Sequence, residues 1–255
     1  MTYFFETYGC EMNIAESAAI EQLLISRNWT KAESAQVADL AIVNTCCIRE
    51  SAEERIRGRL GWYNGLKAVR QCKVGAKTKL LDLAVEYVKD GPKPLTLVVM
   101  GCMAEKDFDT FKKKFPFVDY VVGTFGKTQF GMIIDSVEKN KKPFKVDNTQ
   151  PYKFAELSAE PHSFSTFVPI MHGCNNFCTY CIVPYVRGRE CSRNVSDILK
   201  ELDALNKLNV REITLIGQNV NSYKGVSSDG KFVDFAQLLT IIANHLKQTN
   251  SKIEW

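Results

Sequence analysis

The chain has 255 residues, is 45% hydrophobic and carries a net charge of +4. That is enough for one large domain or two modest ones with a proper core, and the small positive charge is compatible with a nucleic-acid partner without arguing for one. Nine cysteines, an odd number, after a start without a basic, apolar leader point to a reducing compartment rather than a disulfide framework. They read as ligands and free thiols of a cytoplasmic protein, and no stretch approaches the length of a membrane span.

Residues 3–7 read as a strand that runs into Tyr8-Gly9-Cys10. Asn13 is the expected cap of a helix to about Arg27, with Glu16 at the capping-box position. Residues 40–43 form a second strand ending at Asn44-Thr45-Cys46-Cys47, and Ser51 opens a strongly charged helix. Residues 65–94 form a basic excursion, read as a solvated loop followed by a short apolar helix at 80–88. Residues 95–100 make a third strand ending at Gly101-Cys102, residues 119–123 a fourth, and 130–137 a last helix. Strands alternating with helices predict a parallel-sheet α/β domain over residues 1–150.

A polar, proline-containing linker over 147–161 leads to residues 151–255. There, 164–171 reads as a strand, Asn194 caps an apolar-faced helix, 212–216 is a strand, 235–246 a helix, and 252–255 starts another strand. This βαβαβ run fits the opening of a β/α barrel and is too short to close one. The expectation is a truncated barrel on a piece of a longer protein.

The motif around which the chain is organised is Cys174-x3-Cys178-x2-Cys181. Three thiolates on so short a loop converge on one point and suit zinc or an iron–sulfur cluster with one metal position open. Cys10, Cys46 and Cys102 each follow the C-terminal end of a predicted strand, the edge of a parallel sheet where ligands bind. Cys47, Cys72 and Cys191 read as non-ligands, Cys47 pointing away from its neighbour's direction. His172 reads as a packing residue, and Lys112, Lys113 and Lys114 as an exposed helix face. Arg187, Arg189 and Arg193 form a basic run with two open readings, a contact to RNA phosphates or a salt-bridged loop.

The triplet, with Tyr180 just before its last cysteine, resembles the radical S-adenosylmethionine enzymes. The motifs at Tyr8 to Asn13, Asn44 to Glu50 and Gly101 to Ala104 look like the amino-terminal domain of the methylthiotransferases. The stretches 174–190 and 215–223 look like the branch that modifies N(6)-dimethylallyladenosine in tRNA. The resemblance implies two 4Fe–4S clusters, one on Cys174, Cys178 and Cys181 with S-adenosyl-L-methionine at the fourth iron, and one on Cys10, Cys46 and Cys102. Family members usually have a small residue where Cys47 stands, so a swap of roles between Cys46 and Cys47 stays open.

What the resemblance implies for function is replacement of the C2 hydrogen of the modified adenosine beside the anticodon by a methylthio group. Such chemistry needs the tRNA anticodon stem-loop, an electron donor such as flavodoxin or ferredoxin, and a sulfur source. Gly217, Gln218 and Asn219, at the end of a barrel strand, are candidate S-adenosylmethionine contacts or a simple turn. Two other readings are carried forward: a sibling methylthiotransferase acting on a ribosomal protein or threonylcarbamoyl-adenosine, and a metal-stabilised RNA-binding module without catalysis.

Overall fold

The structure is a computed structural model that describes residues 1–47, 50–73, 81–159 and 163–254. It divides into two compact units, Met1–Gly9 with Leu23–Pro151, and Cys10–Gln22 with Tyr152–Trp255.

The first unit is built on a parallel sheet of β1 (Thr2–Thr7), β2 (Thr30–Lys31), β3 (Leu40–Thr45), β4 (Thr96–Gly101) and β5 (Tyr120–Val122). Their order is β2-β1-β3-β4-β5, with every neighbouring pair parallel. The order reverses between β1 and β3, and in such sheets the crevice beyond the strand ends at that point takes ligands. All six residues of β3 and all but the first of β4 are buried. Both strands are therefore covered on two faces, which is why they read as unbroken apolar runs rather than alternating ones.

The helix after β1, α1 (Glu11–Ser26), starts earlier than the sequence predicts. Cys10 occupies the position before it, and the Cys10 N–H donates to Asn13 Oδ1 at 3.3 Å. Asn13 thus acts from inside the first turn back onto the chain entry, the reverse of the expected cap.

Helix α2 (Glu50–Arg70) also departs from expectation, because it runs on through Gly65 into the predicted basic loop. Lys67 is buried, donates to the Phe117 carbonyl at 2.7 Å and pairs with Asp119. Arg70 is fully buried and donates to the carbonyls of Lys93, Gln36 and Ala38 at 2.5, 2.9 and 2.9 Å. These cations close the excursion onto the strand starts instead of facing water. Lys77 and Lys79 lie outside the described residues; Lys73 is exposed. Then come α3 (Asp82–Tyr87), α4 (Cys102–Lys106), α5 (Phe108–Lys114) and α6 (Phe130–Glu138). The three lysines of α5 are exposed, two of them engaged, Lys112 with the Asp119 carbonyl and Lys114 with Asp107.

The second unit pairs β6 (Ser165–Pro169) with β9 (Glu212–Ile216) in parallel. Between them lie β7 (Met171–His172), α7 (Val183–Val186), β8 (Cys191–Ser192) and α8 (Val195–Lys207). The strands β7 and β8 pair antiparallel. Helix α8 buries Val195, Ile198, Glu201, Leu202 and Leu205, a three-and-four spacing that makes one face. After β9 come β10 (Lys224–Val226), β11 (Phe232–Asp234) and α9 (Phe235–Gln248). Asp234 caps α9 with a full capping box, Gln237 answering it. Asn194 does precede α8, but its side chain makes no cap bond. The strand expected at 252–255 is present as one parallel bridge, Glu212 to Glu254.

Among the described residues, the predicted linker is mostly exposed up to Glu156 and buried only at Ser158 and Ala159. The Ser158 N–H donates to Glu201 Oε1 at 2.6 Å. Gln22 Nε2 donates to the Ala159 carbonyl at 2.7 Å. Its polar composition signalled a turn-rich path, and burial against α8 is a tertiary matter that composition does not carry.

Candidate functional site

The cysteine triplet lies where β6 and β9 end. Ile170 N–H donates to the Ile216 carbonyl at 2.9 Å, and β7 then leads into Gly173. Gly173 has φ +78, and a Cβ there would collide with the Arg189 carbonyl. Only glycine fits this left-handed conformation so close to the Gly188–Arg189 backbone. Its N–H donates to Gln218 Oε1 at 2.6 Å, and Cys174 N–H donates to the Gly188 carbonyl at 3.1 Å. The loop is thereby tied at its entrance to both of its flanks.

Along the loop, Cys174 is buried, Cys181 half-buried and Cys178 exposed. Phe177 adopts φ +47, and Cys181 N–H donates back to the Cys178 carbonyl at 2.9 Å. Phe177, Tyr180 and Tyr185 are all exposed, with Arg189 stacked over the Phe177 ring at 4.3 Å. Three thiols of graded exposure on one loop suit a soft metal centre in the kind of donor they offer. Among the described residues no three His, Cys, Asp or Glu side chains are already gathered for a metal ion.

Of the three residues after β9, Gln218 holds the Gly173 amide, and Asn219 Nδ2 donates to Ser222 Oγ at 2.5 Å and Glu190 Oε1 at 3.3 Å. A Cβ on Gly217 would press on Met171. The sequence placed these residues at a strand end and left open what they touch. The structure shows them bracing the triplet loop and the turn that follows it.

The basic run resolves residue by residue. Arg187 and Arg193 are 2% and 3% exposed, so neither presents its charge to a phosphate. Arg187 Nη1 pairs with Glu16 Oε1 at 2.8 Å, and Arg193 pairs with Glu201. Arg189 alone of the three is exposed. His172 is fully buried, its ring stacked on Tyr152 at 3.4 Å and 8°. Burial, with Glu16 nearby, pushes the Tyr152 hydroxyl far above its usual range. No sequence signal paired Glu16 with Arg187, since partners so distant in the chain leave no local pattern.

The second cysteine group stands at strand ends. Cys46 directly follows β3, Cys102 opens α4 directly after β4, and Cys10 lies three residues past β1. Gly101, at φ +95, packs its α-carbon against the Thr45 carbonyl, which sets Cys102 close behind β3. Cys46, Cys47 and Cys102 are all buried. Cys47, expected to point differently from Cys46 as a non-ligand, lies beside both Cys102 and Cys46. The Cys102 thiol, burial and the Cys46 sulfur raise its pKa far above the ordinary thiol value. The Cys10 thiol donates to Asn13 Oδ1 at 3.4 Å.

Residues 2–123 match the model of the uncharacterized protein family UPF0004, and residues 168–248 match that of the radical SAM superfamily. Among curated proteins, the chain is 46% identical to a tRNA-2-methylthio-N(6)-dimethylallyladenosine synthase of Treponema denticola, covering all of this chain and 54% of that protein. It is 43% identical to the protein of the same name from Treponema pallidum, over all of this chain and 53% of the other. This chain is a relative of those synthases. It spans about half the length of the curated relatives it matches. Among solved structures, it superposes on the radical S-adenosylmethionine methyltransferase TsrM of Kitasatospora setae with a TM-score of 0.55 at 8% identity, covering 98% of this chain and 51% of the other. The cobalamin-dependent radical enzyme OxsB gives 0.52 at 13% identity, covering 99% and 38%. At such identities the likeness speaks for the fold, an α/β unit followed by a radical-SAM-like β/α unit.

Proposed function

We propose that this chain forms the cluster-bearing part of a tRNA methylthiotransferase, which replaces the C2 hydrogen of N(6)-dimethylallyladenosine beside the anticodon by a methylthio group. The observation that carries the reading is the placement of two separate cysteine sets. One is on the loop beyond β6, and the other follows the ends of parallel strands β1, β3 and β4. The curated relatives named for this reaction match along the whole chain.

In this reading Cys174, Cys178 and Cys181 hold a 4Fe–4S cluster with S-adenosyl-L-methionine, and Cys10, Cys46 and Cys102 hold a second one. When bound, these groups supply one-electron chemistry, which a strong C–H bond without useful acidity requires. The chain's own residues set the stage for it. Gly173 lets the loop turn sharply, Gln218 fixes its entrance, and Asn219 bonds Glu190, which in turn holds Asn175 just after Cys174. Gly217 to Asn219 lie beside the loop as candidate contacts for the S-adenosylmethionine. The tRNA anticodon stem-loop is the substrate, with a low-potential donor such as flavodoxin or ferredoxin and a sulfur source as further partners.

Iron and sulfide content after anaerobic reconstitution tests the reading, on the parent chain and on Cys174→Ala/Cys178→Ala/Cys181→Ala. About eight irons falling to about four supports two clusters on three cysteines each. A parent with about four irons falling to none assigns no cluster to the amino-terminal set, and the methylthiotransferase reading gives way to a simpler radical enzyme. Nucleoside analysis of tRNA from a deletion strain separates this substrate from a ribosomal protein or threonylcarbamoyl-adenosine.

A further inference from the structure

Glu16 and Arg187 stand 171 residues apart in the chain, yet Arg187 Nη1 donates to Glu16 Oε1 at 2.8 Å. Their side chains are only 5% and 3% exposed. Each lies six residues beyond a candidate ligand, Glu16 after Cys10 and Arg187 after Cys181. Both belong to the second compact unit, which takes in Cys10–Gln22.

The pair does not sit alone. Tyr152 feels the charges of Glu16, Arg187 and Arg193, and its ring lies flat on His172. His172 immediately precedes Gly173 and Cys174. One buried polar cluster therefore touches the first turns of α1, the residue before the triplet loop and the residue after α7.

A buried ion pair is a costly way to hold two elements together. Both charges leave water, and an apolar pair of similar volume usually stabilises as well or better. What an ion pair adds is register. Any slip of α1 against the turn after α7 leaves one charge buried without its partner, whereas an apolar contact tolerates a slip.

We infer that Glu16 and Arg187 are positioning residues, which lock the helix start bearing Cys10 to the turn following Cys181. The inference rests on the proposed ligand roles of those cysteines. Neither residue touches substrate or cofactor in this account; both act through the cysteines they hold in place.

The test compares the parent chain with Glu16→Leu/Arg187→Met, which removes both charges at similar volume. Amide exchange of the metal-free protein is the first readout. The second, after anaerobic reconstitution with S-adenosylmethionine and tRNA, is the ratio of 5′-deoxyadenosine released to methylthiolated nucleoside formed. The double variant is expected to keep its melting temperature and iron content. Exchange across residues 10–22 rises roughly tenfold or more while α8 stays protected. The product ratio shifts toward 5′-deoxyadenosine, because cleavage needs the triplet alone and methylthiolation needs both cysteine sets. A folded double variant with unchanged exchange and unchanged ratio overturns the inference and leaves the pair a packing role. Should the double variant fail to fold, Arg187→Lys carries the same two readouts, since it keeps the charge and loses the planar fork. A parent chain that binds only about four irons sinks the functional reading instead, and the exchange readout alone then decides the positioning.

Discussion

The side-chain oxygen of Gln218 accepts the backbone N–H of Gly173 at 2.6 Å, tying the second residue after β9 to the residue before Cys174. A strand end from one βα unit thus fixes the entrance of a loop that begins in the preceding unit. Substituting Gln218→Leu leaves that amide without its acceptor. The expected loss is about 1–2 kcal/mol of stability, with weaker iron retention by the triplet loop. Gln218→Glu keeps an acceptor and is expected to retain most of both. Thermal denaturation and iron release to a chelator measure the two effects.

Gly173→Ala is expected to be far more damaging. The position has φ +78, and an added Cβ meets the Arg189 and Gly188 carbonyls, which are backbone and cannot swing away. Loop and hairpin must separate, so about 3 kcal/mol or more is lost, mostly from the second unit. A denaturant melt followed by probes in each unit reads this directly: a transition shared equally by both units contradicts the local account.

Cys46 and Cys47 are adjacent, both buried, and only one is proposed as a ligand. Cys46→Ala is expected to lower reconstituted iron by about four per chain, and Cys47→Ala to leave it unchanged. The closeness of Cys47 to Cys102 makes the comparison informative. The reverse result reassigns the ligand to Cys47, and equal losses from both variants make the pair act together.

Arg70 stabilises the first unit through backbone carbonyls. It donates to Gln36, Ala38 and Lys93, and its guanidinium lies 4.7 Å from the Tyr87 ring centroid. Arg70→Met removes every one of these donors while keeping volume. Three carbonyls lose their partner, and a destabilisation of about 3 kcal/mol is expected in a urea melt. A change below about 0.5 kcal/mol contradicts the buried role and returns Arg70 to the solvated loop that its neighbours suggest.

The main strands, most of the helices and both cysteine motifs are legible in the amino-acid string. The largely apolar stretches read as strands at 40–43 and 95–100 are buried on both faces in the fold, so they announce a parallel sheet without any partner being known. The triplet spacing needs only a short loop to make its point, and the motifs around Cys10, Cys46 and Cys102 are local strings as well. Each of these signals lies within a few residues of chain, which is why it is readable there.

Which charges face water is not legible there and follows from packing. Lys67, Arg70, Arg187 and Arg193 read as a basic loop and a basic run, and all four are buried, the first three on partners more than twenty residues away and Arg193 on Glu201 of the following helix. In sequence Asn13 looks like a cap and Gln218 like a cofactor contact or a turn residue; one reaches back to Cys10, the other across to Gly173. A charge or an amide in sequence shows its capacity to bond, never its partner. The partner is chosen by packing, because a buried polar group must be satisfied by whatever the fold brings within reach.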